Sequence, residues 1–163
     1  MGNGRHIGDD VGIGSYEDRE LVKDLYSRFY EATDNNRYEE WAQCFAEDGW
    51  IDYPTASRVT GRDALRRFVE GNTVWAAENG YPRTRHHVSN LRITLDGDHG
   101  RGQCYSAVWW VRADGTLQFC TIGGYEDEVV KVDGRWYFQS RLGWSDGDIP
   151  RMYGVDYAQD PSR

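Results

Sequence analysis

The sequence predicts an α+β domain in which three N-terminal helices pack on one face of a curved, mostly antiparallel sheet. The two layers are expected to close into a cone-shaped barrel with a cavity between them. Three observations carry this expectation. Apolar residues recur at helical spacing through the first half, long alternating segments broken by glycine turns follow Pro82, and 163 residues suit a single core.

From Tyr16 to Thr33, Leu21, Leu25, Phe29 and Ala32 recur every three or four residues. Val22, Tyr26 and Tyr30 widen that stripe, which predicts an amphipathic helix. "TDNNR" interrupts it, and Asn36 followed by Glu39 predicts the capped start of a second helix carrying Tyr38, Trp41 and Phe45 on one side. "EDGW" is expected to end that helix, and "WIDYP" predicts a short strand stopped by Pro54. Thr60 is the expected cap of a third helix over 62–78, where Leu65, Phe68, Val69 and Trp75 keep the period until "NGYP". Strands are expected over 84–95, 102–113, 116–132 and 135–143, joined by the turns "LDGDHG", "RADG" and "KVDG". The glycine-rich "MGNGRHIGDDVGIGS" is expected to form a flexible arm over 1–15, and residues 144–163 a C-terminal tail.

Lysine and arginine number 19 against 27 acidic residues, so the formal charge is −8. Such a field repels phosphate backbones and anionic lipid, which argues against nucleic acid and membrane surfaces as partners. The longest obvious apolar run, "AVWWV" at 107–111, is too short to span a bilayer, and no signal-peptide pattern is present, so a cytoplasmic protein is expected. Cys44, Cys104 and Cys120 form neither a disulfide framework nor a zinc pattern and are expected to be small buried hydrophobes. Asp96, Asp98 and His99 belong to a turn and diverge too much for a metal site. The 14% aromatic content can line a pocket as well as fill a core.

"TRHHVSN", residues 84–90, sets two of the four histidines side by side on a predicted strand, so one faces in and the other out. Strict alternation groups His87 with the apolar Leu91, Ile93 and Leu95, and His86 with Val88, Asn90 and Arg92. His86 is the inward one only if a bulge near Val88 to Asn90 shifts the parity.

Three fragments, "YEATDNNRYEEWAQCFAEDGWIDYP", "TRHHVSNLRITLDGD" and "GGYEDEVVKVDGRWYFQSR", in this order and spacing, resemble the SnoaL-like branch of the nuclear transport factor 2-like superfamily. The resemblance covers about residues 16–143 and implies the cystatin-like cone. Members include scytalone dehydratase, bile-acid dehydratases, polyketide cyclases and epoxide hydrolases, with relatives that isomerise ketosteroids. Position by position, it puts Asp34 where dehydratase-like members keep a carboxylate, His86 where they keep its imidazole partner, Tyr53 at a pocket tyrosine and Arg141 at a pocket arginine. Trp110 replaces a second catalytic histidine of scytalone dehydratase and Tyr125 an asparagine, which argues against scytalone itself as substrate.

A histidine fixed by a carboxylate is a general acid–base unit. It can take a proton alpha to a carbonyl while Tyr53 or Arg141 holds the enolate oxygen and a beta hydroxyl leaves. Tyr30, one turn before Asp34, is a further candidate donor. His87, Trp110, Tyr125, Trp75 and Asp52 are the expected pocket wall, and no metal or organic cofactor is required. The expected function is a cofactor-independent dehydratase (lyase) or cyclase acting on a small polycyclic, polyketide-like or steroid-like molecule. The same set serves an isomerase, or an epoxide hydrolase if Asp52 or Asp127 activates water. A non-catalytic small-molecule binder or an oxygenase β-subunit-like structural protein is the alternative. The exposed sheet face and the resemblance together predict a homodimer or homotrimer.

Overall fold

The computed structural model describes residues 14–53 and 56–146. The chain runs α1 (Tyr16–Asp34), α2 (Tyr38–Ala42), β1 (Phe45–Tyr53), β2 (Ala56–Thr60), α3 (Arg62–Glu78), β3 (Arg83–Asp96), β4 (His99–Val111), β5 (Leu117–Val132) and β6 (Arg135–Ser145). The six strands form one sheet in the order β2-β1-β6-β5-β4-β3. All neighbours are antiparallel except β1 and β6, so the helices gather on one face of a mostly antiparallel sheet, as a cystatin-like cone requires.

Helix α1 starts at Ser15, whose hydroxyl accepts the Asp18 N–H. It buries Val22, Leu25, Tyr26, Phe29, Tyr30 and Ala32, while Leu21 is 41% exposed, so the stripe is centred one residue later than its apolar count suggests. Phe29 is the hub of the aromatic core, with ring centroids 5.1 Å from Trp41, 5.9 Å from Phe45 and 5.5 Å from Phe138. Below them Arg141 and Asp127 form an ion pair whose side chains are both fully buried.

Several expected boundaries move. Asn36 does not cap α2. It sits at φ +58°, a left-handed conformation asparagine tolerates, and the following Arg37 N–H returns to the Ala32 carbonyl at 2.9 Å, so "TDNNR" is a helix stop. α2 is accordingly short, and Phe45 opens β1 instead of closing a helix. Gly61, at φ +84°, replaces Thr60 as the residue before α3, and Thr60 ends the unforeseen β2. Ser15 folds with the domain and β6 reaches Ser145, so both edges lie outside the expected 16–143. The rest of the expected arm and tail, residues 1–13 and 147–163, lies outside the described residues, as does Pro54.

The decisive local feature is in β3. Its pairing with β4 runs to Ser89↔Tyr105 and resumes at Arg92↔Gln103, so one extra residue is inserted in β3. Asn90 absorbs it at φ +53°. Before the bulge Thr84, His86 and Val88 face inward, and after it Leu91, Ile93 and Leu95 do.

Candidate active site

Asp34 is the last residue of α1, and β3 meets it there. Its Oδ1 lies 2.6 Å from His86 Nδ1 and accepts the Thr84 hydroxyl at 3.2 Å. Its Oδ2 accepts the His86 backbone N–H at 3.0 Å, and its backbone carbonyl accepts Arg85 Nη1 at 2.9 Å. These donors offset the cost of a carboxylate at the negative pole of a helix. A carboxylate only accepts, so Nδ1 donates to Asp34, and in the neutral imidazole this leaves the lone pair on Nε2. Nε2 has no hydrogen-bond partner among the described residues.

His86 and Thr84 line a cavity of about 480 Å³ between the helices and the inner face of the sheet. Its wall is largely aromatic, with Phe29 and Trp41 from α1 and α2, Tyr53 from β1, Phe68 and Trp75 from α3, and Trp110 and Tyr125 from β4 and β5. The Tyr53 and Tyr125 hydroxyls are 2.8 Å apart. Burial pushes the Tyr53 phenol well above its ordinary value and raises Tyr125 too, so both remain protonated donors near neutrality. In a hydrogen-bonded hydroxyl pair one proton joins the two oxygens and the other is free for a ligand. Cys120 also lines the cavity, in contrast to the fully buried Cys44 and Cys104.

Other predicted site residues fall elsewhere. His87 is exposed on the outer face opposite Ala107, because the bulge gives the inner face to His86. The Tyr30 ring lies 5.4 Å from the His86 ring, tilted by 39°, but its hydroxyl accepts Arg141 Nη2 at 3.3 Å and meets Cys104 Sγ at 3.6 Å, beneath the cavity. Arg141 is held by Asp127 at 2.8 and 3.2 Å and packs 4.1 Å from the Tyr125 and Phe29 rings, so it underlies the site without lining it. Burial pushes the Asp127 carboxyl up and Arg141 opposes that push. Asp127 is therefore committed and cannot activate a water in the cavity. Asp52 alternates out of the wall that Tyr53 joins, and pairs with Arg58 at 3.4 Å. Trp75 lines the rim and is 57% exposed. Sequence reasoning missed Thr84 and Tyr81. Thr84 was legible as a hydroxyl two residues before His86 and hence on its face.

Among the described residues no group of three or more His, Cys, Asp or Glu is placed to hold a metal ion, and no helix is long and apolar enough to cross a membrane.

Comparison with known proteins agrees with this architecture. Rv3472 of Mycobacterium tuberculosis, a protein of unknown function, is 28% identical, with a TM-score of 0.71 over 81% of this chain and 78% of that one. A Novosphingobium aromaticivorans protein provisionally named a scytalone dehydratase is 25% identical, with a TM-score of 0.67 over 79% of this chain and 84% of its own. An NTF2-like protein of cystatin-like fold from the same organism superposes with a TM-score of 0.73 at 21% identity, over 86% of this chain and 90% of its own. Among curated proteins, the uncharacterised Rv2910c of Mycobacterium tuberculosis H37Rv is 21% identical over 136 residues, covering 81% of this chain and 88% of that protein. The SnoaL-like domain family matches residues 14–142, and the chain belongs to that family.

Proposed function

We propose that the chain is a cofactor-independent dehydratase or cyclase whose base is His86, held by Asp34, acting on a small polycyclic ketone. The observation that carries the reading is the 2.6 Å contact between His86 Nδ1 and Asp34 on the wall of an aromatic cavity, with Nε2 left without a hydrogen-bond partner among the described residues. Nε2 takes a proton alpha to the substrate carbonyl, and the carbon–hydrogen electrons form the enolate. The free hydroxyl of the Tyr53–Tyr125 pair donates to the enolate oxygen, a duty Arg141 and Tyr30 cannot meet from beneath the cavity. The imidazolium, stabilised by Asp34, returns its proton to a beta hydroxyl, which leaves as water. If the enolate instead meets a second electrophile in the same molecule, a ring closes.

The test needs only the first step. 2-Tetralone in deuterium oxide, followed by proton NMR, reads exchange alpha to the carbonyl; light scattering on the same sample reads whether two or three chains assemble over the exposed sheet face. Wild-type protein should accelerate exchange above buffer, and His86→Ala should lower that acceleration roughly 10²–10⁴-fold. Equal rates for the two proteins would remove His86 as the base.

A further inference from the structure

We infer that this cavity selects a flat aromatic ring over a puckered saturated one, and that Trp110 is the residue that does so. The inference deepens the proposed function by choosing a substrate class for the same site.

Trp110 lies on the inner face of β4, opposite Thr84 in the ladder, and lines the cavity while half-buried. His86 is opposite Val108, so Trp110 is its diagonal neighbour, a relation that separates side chains by about 7–8 Å on a sheet. A ring lying on Trp110 is therefore beside the proposed base. The indole plane is fixed by a second ring of the same cavity wall. Tyr81 stacks on it with ring centroids 4.3 Å apart and planes 23° apart. Tyr81 in turn donates to Gln118 at 3.0 Å, and Arg112 Nη2 bonds both Gln118 at 2.7 Å and the Tyr81 hydroxyl at 3.3 Å. One face of Trp110 is thus occupied by a clamped ring, and a flat ligand in the cavity would extend the stack to a third layer. Among the described residues the aliphatic side chains of the wall are Val69, Ala76 and Val108, so a saturated polycycle gains little that an aromatic one does not.

The experiment compares 2-naphthol with decahydro-2-naphthol, which share a skeleton and a hydroxyl and differ in flatness. Calorimetry gives each affinity, and NMR of labelled histidine locates the probe, because an aromatic ring on Trp110 shifts the His86 ring signals. The wild-type protein should bind 2-naphthol more tightly and show that shift. Trp110→Leu should weaken 2-naphthol about three- to tenfold while leaving decahydro-2-naphthol within about twofold, and Trp110→Phe should restore the preference. Equal affinities in the wild type, 2-naphthol binding without a His86 shift, or an equal loss of both probes in Trp110→Leu would each overturn the inference. None of these readings depends on turnover, so they separate from a failure of His86 as base.

Discussion

Two of the domain's carboxylate pairs, Asp127 with a guanidinium and Asp34 with an imidazole, do opposite things. Asp127 and Arg141 are sealed at 0% side-chain exposure, with Tyr26 donating to Asp127 and aromatic rings on the guanidinium. Asp34 and His86 keep 13% and 12% exposure and border a cavity. Both are short contacts made by residues far apart in sequence. What separates them is access: Arg141 Nη1 also lacks a hydrogen-bond partner but is sealed among packed rings, whereas the imidazole of the other pair borders space that a ligand can fill. A close ion pair alone therefore says little about chemistry. Solvent or ligand access to the second nitrogen is what makes one a candidate.

The largest effect expected from breaking this contrast is on stability. Arg141→Leu leaves a buried carboxylate without its cation and should cost about 3–5 kcal/mol in chemical denaturation, since removal of one partner strands the other's charge. Asp34→Asn keeps only one of the two acceptor oxygens that His86 and Thr84 use and should cost about 1–3 kcal/mol in the same measurement, less than Arg141→Leu. Its effect should fall on alpha-proton exchange instead, because the amide no longer stabilises the imidazolium. If Asp34→Asn were the more destabilising variant, the division between a structural and a chemical pair would be wrong.

A middle-sized effect belongs to the bulge that puts His86 at the site. Asn90 at φ +53° is the pivot, and a β-branched residue there pays about 1–2 kcal/mol for a left-handed backbone. Asn90→Val should lose roughly that much by thermal unfolding, and should also disturb the His86–Asp34 contact, read from the His86 NMR signals. Asn90→Gly should preserve both. This position marks how far the sequence could be read. Strand β3 itself was legible from its alternation, yet alternation by its nature assigns one parity to a whole strand and therefore favoured His87. Only the family resemblance pointed to His86, and the extra residue that reconciles the two is a single asparagine with no apolar signature. The same conformational habit misled at Asn36, where a residue that commonly caps helices instead ends one. β2 was illegible because "ASRVT" has no apolar alternation and is held as an edge by pairing with β1. Tyr30 and Arg141 were found near the site but one layer too deep, since spacing fixes which face a residue shares and not how far its hydroxyl or guanidinium reaches.

The smallest effect sharpens the comparison from the surface. Asp18, in the first turn of α1, accepts Lys131 Nζ at 2.7 Å and Trp136 Nε1 at 2.9 Å, and ties the helix to the β5–β6 hairpin. The hydrogen bonds from Lys131, Trp136 and Ser15 lower its carboxyl from 3.8 to about 2. A carboxyl held lower in the folded than in the unfolded state adds stability above its unfolded value, and that contribution fades as pH falls from about 4 to about 2. Asp18→Asn should therefore flatten the fall of the thermal midpoint across that window and leave its slope between pH 5 and 7 unchanged. This pair has lone pairs open to water and no cavity beside it, so the variant should also leave the alpha-proton exchange rate unaltered. A loss of exchange in Asp18→Asn would mean that the seating of α1, which carries Asp34 at its far end, controls the His86 contact through the length of the helix.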